Sequence, residues 1–263
     1  MASVQGKYVV ITGASGGIGK ALALEVAKRG AIPILMARSI DKLEQLSIEI
    51  KERYGIKAPF FQLDVRNRAD IEATFQLLLK EIPAVDVLVN NAGFGIFDDV
   101  QDLSLDDMSN MFEVNVFGLI ACTKMVLPLM LEQNSGHIIN IASQAGKLAT
   151  PKSSVYSATK HAVLGFTNSM RMELHDTGIF VTAVNPGPIR TNFFEVADAS
   201  GQYKQKVEKW MLDPGSVAKE IADAVYTNKR EINLPGWMSF GSKVYQLFPG
   251  LMEKFAGKAF RQK

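Results

Sequence analysis

Lys7 to Gly19 reads KYVVITGASGGIG, and the fold follows from how this stretch is read. Tyr8 to Ile11 is a short run of aromatic and β-branched residues, the signature of a buried strand. Thr12-Gly13-Ala14-Ser15-Gly16-Gly17-Ile18-Gly19 follows at once, and Lys20 to Arg29 then has helical composition up to Gly30. Strand, glycine turn and helix in that order make the first half of a βαβ unit that holds a dinucleotide. Gly13 lets the chain turn off the strand, Gly17 removes a side chain where a pyrophosphate must approach, and Gly19 lets the helix pack close to the sheet. The helix N-terminus offers unpaired N–H groups to the anion. The spacing is T-G-x-x-x-G-x-G, not G-x-G-x-x-G, so a Gly-rich loop of another α/β protein stays open at this point.

The rest of the chain repeats the β/α alternation. Strands are expected at Ile32–Ala37, Ala58–Leu63, Val85–Val89, Gly136–Ala142, Ile179–Val184 and Glu231–Leu234. Helices are expected at Ile40–Tyr54, capped by Ser39, and at Arg66–Glu81, Leu105–Glu132, Ser154–His175 and Pro214–Asn228. The expected fold is a doubly wound (Rossmann) α/β domain, a parallel seven-stranded sheet with helices on both faces. Gly13, Arg38, Asp64 and Asn91 all follow strand ends, so they should crowd at one sheet edge. The stretch from Val114 to Leu131 is apolar on several faces. It calls for cover by the sheet, by another subunit, or by both.

Composition narrows the function. A chain of 263 residues with 47% hydrophobic and 21% charged residues can bury one large core. A net charge of +2 argues against nucleic acid as main partner. Cys122 is alone, so no intramolecular disulfide forms, and it sits in an apolar helical stretch as a core residue. His137, His161 and His175 lack ligand spacing, so no metal site is expected. Met1 to Gly6 runs straight into the first strand, and the longest stretch free of Lys, Arg, Asp and Glu, Gln133 to Gly146, is too short and polar to span a bilayer. The expectation is a cytoplasmic protein without signal peptide.

Two sets of residues carry chemistry. In dinucleotide folds an acidic residue after the second strand binds the ribose of NAD, and arginine there suits the 2′-phosphate of NADP. Ala37 and Arg38 occupy this place, which favours NADP, the alternative being a solvated surface charge on Arg38. Tyr156 and Lys160 lie four apart on one helix face, and Ser143 follows a strand end on the same side of the sheet. Tyrosine ordinarily titrates near ~10, and a neighbouring ammonium lowers that value, so a Tyr–Lys pair can act as general acid. A serine hydroxyl can polarise the reacting oxygen. Y-x-x-x-K by itself is also a common pattern of surface helices.

Taken together, TGASGGIG (Thr12 to Gly19), NNAG (Asn90 to Gly93), Asn115 in FEVNVFG, Ser143, YSATK (Tyr156 to Lys160) and PGPIRT (Pro186 to Thr191) resemble the short-chain dehydrogenase/reductase (SDR) family, strongly over Lys7 to Thr191. The resemblance implies an oxidoreductase that interconverts a carbonyl and an alcohol. Tyr156 would exchange the proton, Lys160 would bind the nicotinamide ribose and lower the Tyr156 pKa, Ser143 would position the carbonyl, and Asn115 would hold a relay water. Implied cofactor contacts are Gly13, Ser15, Gly17, Ile18, Gly19, Arg38, Ser39, Asp64, Val65, Asn91, Gly93, Ile189 and Thr191, with Tyr156 and Lys160. The family also implies a homodimer or homotetramer through the long helices. The rival reading is a non-catalytic NADP(H)-sensing protein, against which the complete Asn115, Ser143, Tyr156, Lys160 set speaks.

Two segments set this chain apart. Asn192 to Leu212, inside a domain read as 1–235, mixes Phe193, Phe194, Tyr203 and Trp210 with lysines and reads as a substrate lid or a solvated amphipathic helix. The tail 236–263 interleaves aromatic and aliphatic residues with five basic side chains against one acidic, and is expected to pack on the same domain. Its pattern fits an anionic membrane surface, the substrate mouth or a partner subunit. The tail resembles the basic, apolar tails of relatives acting on lipid-like ketones, which implies a bulky apolar or lipid-like ketone as substrate class.

Overall fold

The computed structural model describes residues 4–198, 201–250 and 254. Seven strands, β1 (Tyr8–Thr12), β2 (Ile32–Ala37), β3 (Phe60–Gln62), β4 (Val87–Asn90), β5 (Gly136–Ile141), β6 (Ile179–Pro186) and β7 (Glu231–Leu234), form one parallel sheet in the order β3-β2-β1-β4-β5-β6-β7. The helices are α1 (Gly17–Lys28), α2 (Ile40–Tyr54), α3 (Arg68–Glu81), α4 (Leu105–Phe112), α5 (Leu119–Glu132), α6 (Ser154–Glu173), α7 (Phe193–Ala197), α8 (Gln202–Val207), α9 (Pro214–Ala224) and α10 (Gly236–Leu247).

Strand residues alternate between two cores. Val9, Ile11, Leu35, Val87 and Ile139 face α1, α2 and α9, while Val10, Ile34, Met36, Leu88 and Ile138 face α3, α5 and α6. Both faces are therefore dry, which is why the strands read as continuous apolar runs rather than alternating ones. The order reverses between β1, which pairs β2 on one side, and β4 on the other. The loops after these strands part there and leave a crevice at the C-terminal edge.

The elements agree with the sequence reading, with local corrections. β3 is half the expected length, and Asn67 rather than an earlier residue starts α3 by accepting the Asp70 N–H. Ser39 occupies the N-cap of α2 but makes no capping hydrogen bond. The helix expected from Leu105 to Glu132 is interrupted by a π turn, Glu113–Gly118. Gly118 fits there because a Cβ would lie 2.8 Å from the Val65 Cβ. By length and composition Leu105–Glu132 is apolar enough to cross a membrane, yet Leu119, Cys122, Val126 and Met130 are buried in the core. The lid region forms two short helices, α7 and α8, rather than one amphipathic helix; Ala199 and Ser200 lie outside the described residues. Of the tail, α10 packs on β7, and most of 251–263 lies outside the described residues.

His137 on β5 is completely buried at the opposite edge. Its Nδ1 accepts the Tyr226 N–H at 3.0 Å, so the proton sits on Nε2 and is donated to Thr182 Oγ1 at 2.9 Å. Burial pushes this imidazole down to about 3. The unfolded ring takes its proton near ~6.5, so the stability that neutral His137 contributes is full above that value and is lost as pH falls toward about 3. NMR of the His137 ring should therefore show the neutral Nε2–H tautomer with no titration above roughly pH 5, the opposite of an ordinary histidine. A midpoint near ~6.5 would contradict the buried assignment.

Candidate active site

The crevice is built first by β1 and β4. Gly13 turns off β1 with φ +66°, and a Cβ there would lie 2.9 Å from both Ala92 Cα and Asn91 Nδ2. Gly19 is required for contact rather than conformation, since a Cβ would collide with the Gly13 carbonyl. The side chain missing at Gly17 faces Thr191, whose Cγ2 would be 3.2 Å away, so the glycine turn and the Ile189–Thr191 stretch meet over the start of α1. Ser15 lies half-buried in the turn, and Ile18, in the first turn of α1, packs on the core.

The turn is held by two residues that clasp each other. Thr12 Oγ1 accepts the N–H groups of Asn91 (3.0 Å) and Ala92 (3.1 Å). Asn91 Nδ2 donates in return to the carbonyls of Thr12 (2.9 Å) and Gly13 (3.1 Å). Asn91, expected at the adenosine ribose, thus has both amide protons engaged in bracing the turn. Thr12 was not singled out from sequence; its place directly before the first glycine was the available signal. The α1 N-terminus has neither a side-chain cap nor an acidic residue in its first turn. It is a dipole end with free donors, and it fits a pyrophosphate.

Farther along the edge, Arg38, Gln62, Asp64 and Asp70 line a cleft. Asp64 is paired with Arg66 at 2.7 Å, and hydrogen bonds from that guanidinium hold its carboxyl below the ordinary range. Val65 backs onto the π turn at Gly118. Arg38 is exposed and makes no ion pair among the described residues, while Ala37 before it brings no carboxylate. The Ser39 hydroxyl beside it is not engaged in capping α2. A planar cation with two neighbouring positions free of negative charge suits a ribose phosphate.

The reacting groups come from α6, β5 and the π turn. Tyr156 and Lys160 are both buried, with Lys160 Nζ 5.8 Å from the Tyr156 ring centre and donating to the Ile141 carbonyl at 2.9 Å. Ser143 Oγ accepts the Ala145 N–H at 3.1 Å and donates to the Pro186 carbonyl at 3.4 Å. Asn115 Oδ1 accepts the Phe94 N–H (3.0 Å), and its Nδ2 donates to the Phe94 carbonyl (2.8 Å) and Thr159 Oγ1 (3.0 Å). Both amide protons are engaged, so a relay water at Asn115 would have to donate to it. Gly93 lies between, and a Cβ there would be 3.0 Å from Asn115 Oδ1 and 3.5 Å from Lys160 Nζ.

The resemblance implies that Lys160 lowers the Tyr156 pKa; burial acts in the opposite direction and pushes Tyr156 up to about 12, with Ser143 acting downward against it. Burial also pushes Lys160 down to about 8. The ring is enclosed by other rings and the ammonium points at a carbonyl, so removal from water outweighs the attraction between the pair. At neutral pH Tyr156 is a phenol, the form that donates a proton.

The enclosing rings were legible only in part. Phe97 stands edge-on to Tyr156 (5.7 Å between centres) and to Tyr203 (5.4 Å), and Phe193 lies 5.6 Å from Tyr156. Phe193 and Tyr203 belong to the stretch expected from sequence as a lid. Phe97 and Gly95 were missed, although GFGIF directly after Asn90–Ala92 was a visible aromatic cluster. A Cβ at Gly95 would come within 2.8 Å of the Tyr156 ring. The Phe97 N–H donates to the Ala197 carbonyl at 2.7 Å, which fastens α7 over the site. Beneath Ser143, buried Gln144 Nε2 donates to the Asn185 carbonyl (2.8 Å), Asn185 Nδ2 to Asn233 Oδ1 (3.0 Å), and Lys147 joins Asn233 and Glu231.

The chain is similar to known proteins along most of its length. The short chain dehydrogenase family profile matches residues 7–200. The NADP-dependent 3-hydroxy acid dehydrogenase of Schizosaccharomyces pombe is 40% identical over 195 residues, 73% of this chain and 75% of that protein. Dehydrogenase/reductase SDR family member 7B of Mus musculus is 33% identical over 99% of this chain and 83% of its own. Among solved structures, an alcohol dehydrogenase from Thermococcus sibiricus complexed with 5-hydroxy-NADP superposes with TM-score 0.78 at 29% identity, covering 87% of this chain and 95% of that one. A short chain dehydrogenase/reductase from Burkholderia phymatum in complex with NAD superposes with TM-score 0.88 at 25% identity, covering 95% and 96%.

Thr12→Val keeps the shape of the side chain but leaves the Asn91 and Ala92 N–H groups without their acceptor. It should cost about 1–3 kcal/mol in urea unfolding and weaken nucleotide binding, whereas Thr12→Ser should retain both. Unchanged stability and binding in Thr12→Val would remove the clasp from the site.

Proposed function

The chain belongs to the short chain dehydrogenase family, and we propose that it is an NADP-dependent oxidoreductase interconverting a bulky apolar carbonyl compound and its alcohol. The observation that carries the cofactor is Arg38 at the end of β2, exposed beside the uncharged Ala37 and opening on the cleft. The word NADP in the names of the yeast relative and of the Thermococcus complex supports it, while the Burkholderia neighbour was solved with NAD.

When bound, the nicotinamide supplies or accepts the hydride. The Ser143 hydroxyl donates to the substrate carbonyl oxygen and polarises it. Tyr156 gives its phenolic proton to the same oxygen, or takes it back in the alcohol direction. Lys160 holds the ribose hydroxyls and places its charge beside the phenol as negative charge develops there. Asn115 keeps the 93–94 backbone against α6, so that the site retains its depth.

The rings and aliphatic groups around Tyr156 set the substrate. Phe94, Ile96, Phe97, Leu103, Met111, Val155 and Phe193 cluster with it as an apolar wall. An aromatic or long aliphatic ketone suits it better than a short hydroxy acid. Outward-facing Phe117, Leu131 and Met172 on the long helices support a homodimer or homotetramer.

Titration of NADPH and NADH by cofactor fluorescence should give a clear preference for NADPH. Arg38→Ala should remove it by about ten- to a hundredfold, the size of one lost charge-assisted phosphate contact. Equal affinities in the wild type would overturn the cofactor reading, and NADPH binding without turnover on a broad panel of ketones would favour the sensing protein.

The pH profile is a separate check. Lys160 is charged below about 8 and neutral above it, and Tyr156 stays protonated to about 12. For NADPH-dependent reduction, kcat/KM should therefore hold below about 8 and fall as one proton is lost above it. A profile that rises through this window would assign the break to another group.

A further inference from the structure

Helix α10 has an apolar side where solvent stands. Its inward side is settled: Met238 meets the backbone at Gly187, Ser242 is buried and Tyr245 is half-buried. At about 100° per residue, Trp237, Phe240, Val244 and Leu247 fall within roughly 80° of one another on the far side. Trp237, Phe240 and Leu247 are 60%, 73% and 73% exposed, and Phe248 continues the patch. A helix on the surface of a globular domain ordinarily turns charged residues outward. Here the outward sector is aromatic and aliphatic, with exposed Lys243 at its flank.

The surroundings add aromatic surface and positive charge. The lid ends beside the same loop, because Leu212 N–H donates to the Pro188 carbonyl at 2.9 Å while Met238 packs on Gly187. Trp210, two residues before Leu212, is 58% exposed. Lys254 is exposed, and over 236–263 the sequence carries five basic residues against the single Glu253.

We propose that this face of α10 docks the protein on an anionic lipid surface. Apolar burial of Trp237, Phe240 and Leu247 into the headgroup boundary, with lysines meeting anionic headgroups, is how an amphipathic helix lies in a membrane interface. Tryptophan favours that depth because its ring is apolar and its N–H is polar. Charge complementarity favours an anionic lipid surface as the occupant: Lys243 flanks the patch, Lys254 is exposed, and 236–263 carries five basic residues against the single Glu253.

The test is flotation of the full chain with phosphatidylcholine vesicles, alone or with about one-third phosphatidylserine. Binding should be on the order of tenfold stronger to the anionic vesicles and should fall about tenfold in Trp237→Ser/Phe240→Ser and in Lys243→Glu/Lys254→Glu, with the thermal unfolding midpoint unchanged. A second readout needs no variant. The chain has two tryptophans, both in this region, so wild-type emission should shift to the blue on anionic vesicles and be quenched by brominated lipid. Absence of flotation and of any tryptophan shift would overturn the proposal. So would flotation indifferent to both pairs of substitutions, or self-association without lipid binding that Trp237→Ser/Phe240→Ser abolishes.

Discussion

The reciprocal clasp of Thr12 and Asn91 is the constraint on which the rest of the site depends. Strand order reverses between β1 and β4, and a crevice at such a reversal has walls made of two separate loops. Two N–H groups bound to one hydroxyl, and two carbonyls bound to one amide, make those loops a single body. The Gly13 turn, the start of α1 and the Asn91–Gly93 stretch then keep fixed places relative to one another. Below the clasp, Asn90 continues the joinery into the core, donating to Thr123 Oγ1 and Asn140 Oδ1 at 2.9 Å each, and Asn140 passes it on to Thr167 on α6. The catalytic helix is therefore registered to the nucleotide edge through buried hydrogen bonds, which have defined directions where apolar packing does not.

Burial then sets the electrostatics. A tyrosine beside a lysine invites the view that the cation makes a phenolate. In this chain the same wall that excludes water from Tyr156 also removes the solvation a phenolate needs, and it weakens the hold of Lys160 on its own proton. Both members of the pair are pushed toward their neutral forms. A donor kept protonated and a cation close to release suit a reaction in which negative charge appears on oxygen only transiently.

The parts of this molecule legible in the sequence are those in which local chemistry and tertiary role coincide. Gly13 must take a positive φ, strands buried on both faces must be apolar throughout, and a Tyr and a Lys one turn apart must share a face. Arg38 could be placed because it directly follows a strand. What escaped was set by partners far off in the chain. Nothing local in Thr12 announces that it accepts from Asn91, and nothing in Phe97 announces Tyr203. The Asn115 amide looked free for water until Phe94 and Thr159 were seen to occupy it. Ser39, a good cap by type, makes no capping bond. The π turn was equally hidden, because it answers to the close approach of Val65 at Gly118, a contact between residues distant in sequence.

Two apolar helices in this chain show why composition underdetermines surroundings. Leu105–Glu132 is apolar enough to enter a bilayer, and α10 is shorter and less uniform. The longer helix nevertheless sends Leu119, Cys122, Val126 and Met130 into the core, so that side of it is accounted for by the sheet it covers. In α10 the inward contacts fall to Met238, Ser242 and Tyr245, and the strongest apolar groups point the other way. Exposing them costs free energy unless something apolar lies beyond. The helix that composition marks for a membrane is thus committed to the core on one side, and further apolar surface lies on the helix that composition would pass over.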